Sequence, residues 1–88
     1  MTKAEWDQVN DLYIALLNKD NRTQFDELRY RYLDKIITYV TVIREARNMG
    51  NKHPEDNFFI KNAKQQMDLA ESKLRAYINS RRGMSEEL

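Results

Sequence analysis

The 88-residue sequence has no cysteine, one proline, one histidine and two glycines. Without cysteine, neither disulfides nor thiolate metal sites can stabilise a core this small. So little glycine and proline leaves few residues for tight β-turns or for a glycine-rich phosphate loop. These absences predict an all-α protein. A chain of this size without such cross-links often gains the missing burial by forming oligomers.

The sequence also lacks long apolar runs and an excess of one charge. No segment approaches the roughly twenty apolar residues that cross a bilayer, and the start has no apolar signal region. We therefore expect a cytoplasmic protein without a membrane partner. Charged residues make up 33% of the chain, but the net charge is only +1. This balance argues against duplex nucleic acid as a partner and is compatible with a small anionic ligand.

Residues suited to catalysis are scarce. There is no cysteine nucleophile, and no serine has a base in its sequence context. His53 lies in a predicted turn beside Pro54, without a second ligand at metal spacing, so a solvated turn residue is favoured. Acidic pairs such as Asp26/Glu27 fit helix starts better than a catalytic acid and base. The sequence predicts a binding protein that is not an enzyme and has no catalytic residues, metal or cofactor.

The segment from Asp56 to Ser80 has the clearest helical pattern. Its apolar residues recur in alternating steps of three and four, which places one narrow stripe on a single helix face. The stripe comprises Phe59/Ile60, Ala63, Met67, Ala70, Leu74 and Tyr77/Ile78. Because water cannot satisfy such a stripe, another long helix must cover it.

Two helices are predicted before this segment. Thr2 opens a T-x-x-E capping box for a short first helix, which should end at the polar turn of residues 18–22. Thr23 can cap a second helix, and Gly50 suits its C-terminal end. The short connection at residues 51–55 makes the second and third helices antiparallel neighbours, which together form a long helical hairpin.

The predicted organisation is one helical domain, residues 1–83, followed by a flexible tail, residues 84–88. Several apolar residues lie off the stripes and would be uncovered in a lone hairpin. They are Tyr30, Tyr39, Val42, Phe58 and Leu69. We therefore expect an obligate homo-oligomeric helical bundle.

Trp6 lies in the first turn of the first helix and has two interpretations. As a hydrophobic anchor, it would pack its ring onto the hairpin. As a stacking surface, its face would bind a planar ligand such as a nucleobase, with about 1–3 kcal/mol per base. The sequence leaves both interpretations open.

Other candidate ligand-binding residues are polar. Lys19, Asn21 and Arg22 lie in the polar turn, where a solvated loop is the ordinary interpretation. Their side chains also donate the hydrogen bonds that phosphate oxygens accept. Lys64 and Gln65 face away from the apolar stripe of the third helix, where solvated surface is the default.

Two stretches of the sequence resemble a known family. The first reads Trp6-x-x-Val9-Asn10-Asp11-x-x-Ile14-Ala15-Leu16-Leu17-Asn18, and the second combines Phe59 with Ala63-Lys64-Gln65 and Met67-Asp68. They resemble the opening and the last helix of the phage anti-CBASS sponge family. Members of that family sequester the cyclic oligonucleotide signals of bacterial defence without cleaving them.

The resemblance implies a homohexamer, a trimer of dimers, that blocks CBASS effector activation in the cytoplasm of an infected bacterial host. It implies that cyclic dinucleotides such as cyclic GMP-AMP bind between paired subunits. For some members it adds cyclic trinucleotides at a second site on a threefold axis. A near-twofold dinucleotide with two phosphates suits an interface where each subunit offers one aromatic and one cation.

The resemblance also implies roles for individual residues. Trp6 takes the place of the family's base-stacking tyrosine. Asn21 stands where the family has a phosphate-binding lysine, so Lys19 or Arg22 would supply that charge. In the second site, Lys64 replaces an arginine and loses its planar fork, and Gln65 replaces a threonine.

A second hypothesis needs no nucleotide. The uncovered apolar face would then bind a foreign protein, and the chain would be a small helical inhibitor or adaptor that masks a host defence nuclease or another protein.

Overall fold

The computed structural model describes the backbone of residues 1–86 and the side chains of residues 1–81. Its helices are α1 (Lys3–Leu17), α2 (Gln24–Asn48) and α3 (Phe58–Glu86), with a 3-10 turn at Pro54–Asp56 before α3. No strand occurs among the described residues, and the predicted all-α class is confirmed. None of the described helices combines the length and apolar character that a bilayer crossing requires.

Thr2 and Thr23 cap α1 and α2, as the sequence predicts, but among the described residues the full reciprocal capping box lies at Thr23 and not, as predicted, at Thr2. Thr2 Oγ1 accepts a hydrogen bond of 3.2 Å from the Glu5 N–H. Thr23 and Asp26 form a reciprocal capping box, with the Asp26 N–H donating to Thr23 Oγ1 at 3.1 Å and the Thr23 N–H to Asp26 Oδ2 at 3.0 Å. These bonds satisfy N–H groups that have no partner inside the helix.

Gly50 ends α2, also as predicted. Its φ is 88°, in the left-handed region that favours glycine. Its N–H donates to the Arg47 carbonyl at 3.0 Å, and the Asn51 N–H donates to the Ala46 carbonyl at 2.9 Å. This pair of bonds is the Schellman pattern, which satisfies the last carbonyls of the helix.

The third helix differs from its predicted bounds at both ends. Asn57 Oδ1 accepts a hydrogen bond of 2.8 Å from the Phe59 N–H, and α3 starts at Phe58 because Pro54–Asp56 turn more tightly. The helix continues to Glu86, so it includes residues 84–86, which the sequence assigned to a tail. Residues 87–88 lie outside the described part of the chain, and the predicted flexibility of the tail stays a prediction.

The core is thin. α2 packs against both α1 and α3, whereas α1 makes no contact with α3 among the described residues. In that same part of the chain the buried hydrophobic side chains are Leu16, Leu33 and Ile60, exposed by 3%, 7% and 3%.

Phe59 was predicted to lie in the stripe, but its side chain is 76% exposed. Ile60 takes the buried position, and neighbouring helix residues point about 100° apart, so Phe59 turns outward. Its ring contacts Phe58, also 76% exposed, edge to face at 5.8 Å. Of the predicted off-stripe residues, Phe58 and Leu69 are exposed, whereas Tyr30, Tyr39 and Val42 are half-buried within the chain.

The molecule is elongated, with extents of 54 × 25 × 21 Å. Its radius of gyration is 15.6 Å, against about 12 Å for a compact domain of this length. Its accessible surface is 6854 Å², against about 5500 Å² for a monomer of this mass. The chain therefore exposes more surface than a compact monomer of its size.

Candidate functional site

Trp6 lies on the side of α1 that faces α2. Its ring is half-buried, and the guanidinium carbon of Arg44 lies 4.8 Å from the ring centroid. The Trp6 carbonyl accepts a hydrogen bond of 2.8 Å from the Asn10 side-chain amide. Trp6 is therefore held against α2 by a cation–π contact while part of its ring remains exposed. This geometry is compatible with both interpretations of the residue.

Lys19 lies beside a carboxylate. Its Nζ is 2.6 Å from Asp26 Oδ2, and the Asp26 side chain is only 4% exposed, whereas that of Lys19 is 49% exposed. Asp26 Oδ1 also accepts from Arg29 Nη2 at 2.8 Å. The Lys19 ammonium, the Thr23 N–H and the Arg29 guanidinium hold the pKa of Asp26 well below its usual range. Lys19 therefore already has a structural partner at the start of α2.

Arg22 is also bound within the chain. Its Nε lies 3.0 Å from Glu27 Oε1, and its guanidinium carbon lies 5.0 Å from the Tyr30 ring centroid. Its Nη1 is buried and has no hydrogen-bond partner within the described part of the chain. The guanidinium fork is thus partly used, with one donor left unsatisfied.

The other predicted ligand residues are exposed. Asn21 lies in the bend between α1 and α2. Lys64 and Gln65 are exposed at consecutive positions of α3. None of the three makes a side-chain hydrogen bond or ion pair to a described residue beyond its helix or turn.

The structure brings some of the predicted residues together and separates others. Lys19, Asn21 and Arg22 lie together where α2 begins. Trp6 lies near the opposite end of α1, about 16 Å along the axis from Leu17 at 1.5 Å per residue. A single chain therefore does not place the indole beside the cations that were predicted to act with it.

A tyrosine pair positions α1 on α2. The rings of Tyr13 and Tyr30 stack at 5.0 Å with an interplanar angle of 13°, and their hydroxyl oxygens lie 3.2 Å apart. The hydrogen bond with Tyr30, together with burial, raises the pKa of Tyr13 to about 12. Arg22 lies over the Tyr30 ring, so this pair links α1, α2 and the intervening turn.

Sequence reasoning missed two cations, Arg44 and Arg29. Arg44 lies over the candidate stacking residue, and among the described residues it makes no ion pair. Arg29 binds Asp26 and lies 4.7 Å from the Phe25 ring centroid. The signal for Arg29 is its i+3 spacing from Asp26. No local signal marks Arg44, because its contact depends on how α1 lies on α2.

An open groove of about 320 Å³ lies between α2 and α3. Its lining combines aliphatic and aromatic side chains with three cations, one carboxylate and one amide. The lining residues are Leu28, Tyr30, Arg31, Asp34, Lys35, Gln66, Leu69, Ala70 and Lys73. No pattern in the sequence marks any of these cations as functional.

The structure gives no catalytic or metal-binding arrangement to the described residues that were weighed for such roles. His53 is exposed, with Nδ1 3.8 Å from Glu55 Oε1. Within the described part of the chain no three histidine, cysteine or acidic residues lie together as a metal site would require. Asp26, half of a suggested acidic pair, caps α2.

Comparisons of the chain with protein-family models, with curated proteins and with solved structures give no match. The resemblance to the sponge family therefore rests on the residues quoted above and leads to a proposal.

Proposed function

We propose that the chain is a non-enzymatic phage protein that sequesters cyclic dinucleotides, such as cyclic GMP-AMP, in the cytoplasm of an infected bacterium. Bound dinucleotides would no longer activate CBASS effectors. The observation that carries the proposal is the half-buried Trp6 ring beside the Arg44 guanidinium. A cyclic dinucleotide offers bases that stack on an aromatic ring and phosphates that bind cations, and this pair suits both.

The proposed architecture is an antiparallel α2–α3 hairpin whose copies assemble, as in a trimer of dimers. The stacking of Phe25, early in α2, on Tyr77, late in α3, supports the hairpin. The thin core and the exposed residues of α1 support assembly. Leu12, Ile14 and Leu17 are 38%, 52% and 50% exposed on this helix. A water-exposed apolar face of this kind is typical of an interface.

The dinucleotide site is proposed to lie between two copies. Two antiparallel α1 helices related by a twofold axis would place Trp6 and Arg44 of one copy beside Lys19 and Arg22 of the other. Asn21 would contribute an amide to the same site. Lys19 retains donors for a phosphate, because an ammonium has three N–H groups and its bond to Asp26 uses one.

A second site for cyclic trinucleotides is proposed around Lys64 and Gln65. Both side chains are exposed on α3, so a threefold arrangement of copies would present three ammonium groups to three phosphates. A lysine provides charge without the bidentate geometry of arginine, so this site should bind more weakly than the first.

A thermal-shift experiment with Trp6→Ala tests the dinucleotide site. Cyclic GMP-AMP at 100 times its Kd should stabilise the wild type by about 2.7 kcal/mol, and the variant should lose this response while staying folded and assembled. Phe58→Ala is the control, because it removes an exposed aromatic that lies outside the proposed site and should keep the response. No shift of the wild type with a panel of cyclic di- and trinucleotides would contradict the proposal.

A helical inhibitor or adaptor that masks a nuclease or another host protein is the second candidate. It is favoured by the exposed aromatic pair Phe58 and Phe59, next to the connection that holds Met49, which is 87% exposed. Light scattering separates the two candidates. A monomer at all concentrations would favour a foreign protein partner, and a defined oligomer would favour the sponge.

A further inference from the structure

The groove between α2 and α3 carries an unbalanced positive charge. Arg31 and Lys35 lie one turn apart on α2, and Lys73 faces them from α3, whereas Asp34 is the one carboxylate in the lining. None of the three cations makes an ion pair within the described part of the chain. Like charges one turn apart on a helix repel each other, so a negatively charged occupant would stabilise this groove.

The groove also has an uncovered apolar wall. Leu69, on α3, lines the groove and is 50% exposed. Tyr30 cannot offer a face to a nucleobase here, because Tyr13 stacks on its ring and Arg22 lies over it. The occupant should therefore combine carboxylates with an aliphatic surface.

The outer face of α1 has these properties. Asp7, Asp11 and Ile14 follow at i, i+4 and i+7, so they lie along one side of the helix. Both carboxylates are exposed and make no ion pair to a described residue, and Ile14 is 52% exposed. Among the described residues, Lys3 is the one cation on this side of α1, and Asp34 is the one carboxylate that lines the groove.

We infer that the α2–α3 groove receives the Asp7–Asp11–Ile14 face of α1 from a second copy, and that the second copy's groove receives the same face in return. Asp7 and Ile14 are seven steps apart, a rise of about 10 Å, the same as from Gln66 to Lys73 along the groove. The carboxylates would contact the three cations, and Ile14 would cover Leu69. An amphipathic helix in a groove commonly uses this spacing.

The inference rests on the self-assembly in the proposed function and not on nucleotide binding. The groove borders the Tyr13–Tyr30 stack, so each α1 would lie beside the α1 of the other copy. The interface is isologous, with each copy supplying one acidic face and one basic groove.

A charge-swap experiment tests the interface. One variant carries Asp7→Lys and Asp11→Lys, and the other carries Arg31→Glu and Lys35→Glu. Alone, each variant faces like charges in both grooves, so its dimer dissociation constant should rise about 100-fold or more. Mixing the two restores opposite charges in both grooves, and sedimentation velocity should show mixed pairs, either alone or within the larger assembly of the wild type. A control with Lys52→Glu and Lys61→Glu, both exposed outside the groove, should associate like the wild type. Circular dichroism checks that every variant is folded.

Three results would overturn the inference: either variant associating as tightly as the wild type, the mixture remaining monomeric, or the wild type itself remaining monomeric. Calorimetry with cyclic GMP-AMP on the same samples separates this inference from the proposed function. Ligand binding by variants that stay assembled would refute this interface alone. If the mixed variants associate as expected but the wild type binds no cyclic nucleotide, the proposed ligand alone is refuted.

Discussion

Asp26 shows how one buried carboxylate organises the first half of the chain. It accepts hydrogen bonds from the Thr23 N–H, from Lys19 Nζ and from Arg29 Nη2. From the sequence alone, Asp26 is predicted to lie in the first turn of α2, where the helix dipole favours a negative charge. The structure adds that the same side chain holds the turn after α1 against α2, and that it neutralises a lysine considered for phosphate binding.

The lowered pKa of Asp26 predicts an acid-sensitive fold. A carboxylate whose pKa is depressed on folding contributes stability above its unfolded pKa of about 4, and this contribution is lost as the pH falls below that value. We expect Asp26→Asn to lower Tm at pH 7, and the difference from the wild type to shrink as the pH falls towards about 2. Asp20→Asn, the same change at an exposed position, should have little effect at either pH. A gap between Asp26→Asn and wild type that stays constant across this range would contradict the account.

Gly50 offers a test of backbone conformation alone. A Cβ at this position would meet no atom within 4 Å, so steric crowding would not contribute to the result. Because φ is 88°, Gly50→Ala should cost about 1–2 kcal/mol, which lowers Tm by roughly 4–16 °C in a domain of this size. Met49→Ala, at the preceding exposed residue, is the control for thermal unfolding. An unchanged Tm in Gly50→Ala would refute the left-handed cap.

The residues that the sequence predicts best act locally. Thr2, Thr23 and Gly50 bond to backbone within a few residues, so their short patterns suffice. The Trp6–Arg44 contact joins positions far apart in the chain. It depends on the stacking that positions α1 on α2, which no short pattern records.

At the scale of elements, α1 packs against α2 and against no other helix within the described part of the chain. Its attachment combines the buried Leu16 with the Tyr13–Tyr30 stack and the Trp6–Arg44 contact. A helix of 15 residues is marginal by itself, so this packing should decide whether α1 forms.

Leu16→Ala tests this dependence. We expect a loss of about 2–3 kcal/mol in the free energy of unfolding, near the low end for buried leucines because the core is thin. Amide hydrogen exchange should increase most in α1 and less in α2 and α3. Ala15→Gly, at the neighbouring exposed position, should lose about 1 kcal/mol through helix propensity. Equal exchange increases across all three helices in Leu16→Ala would show that α1 does not open separately.

The number and order of the helices could be predicted from the sequence, because the apolar stripes and the capping residues indicate the same helices. The start of α3 could not be. It depends on the 3-10 turn at Pro54–Asp56 and on the bond from the Phe59 N–H to Asn57 Oδ1. The sequence allowed either Phe59 or Ile60 in the stripe. Packing buries Ile60, and because neighbouring helix residues point about 100° apart, Phe59 turns outward into an exposed pair with Phe58.

At the scale of the whole molecule, a single chain has a small buried core and a large accessible surface. The accessible surface exceeds the monomer expectation by about 1,400 Å², more than the roughly 800 Å² that each partner buries in an ordinary interface. Assembly would cover this excess. It would also bring Trp6 of one copy close to Lys19 and Arg22 of another, which lie far apart within one chain. The proposed ligand site and the thin core are thus two consequences of the same architecture.

Calorimetric titration of the wild type with cyclic GMP-AMP is the decisive test of the proposed shared site. We expect heat of binding from the assembled protein, because the proposed site needs residues of two copies, and no heat from the folded Trp6→Ala variant. Binding of about one ligand per chain to a monomer would contradict the shared site. The absence of heat with every cyclic di- and trinucleotide would contradict the function itself.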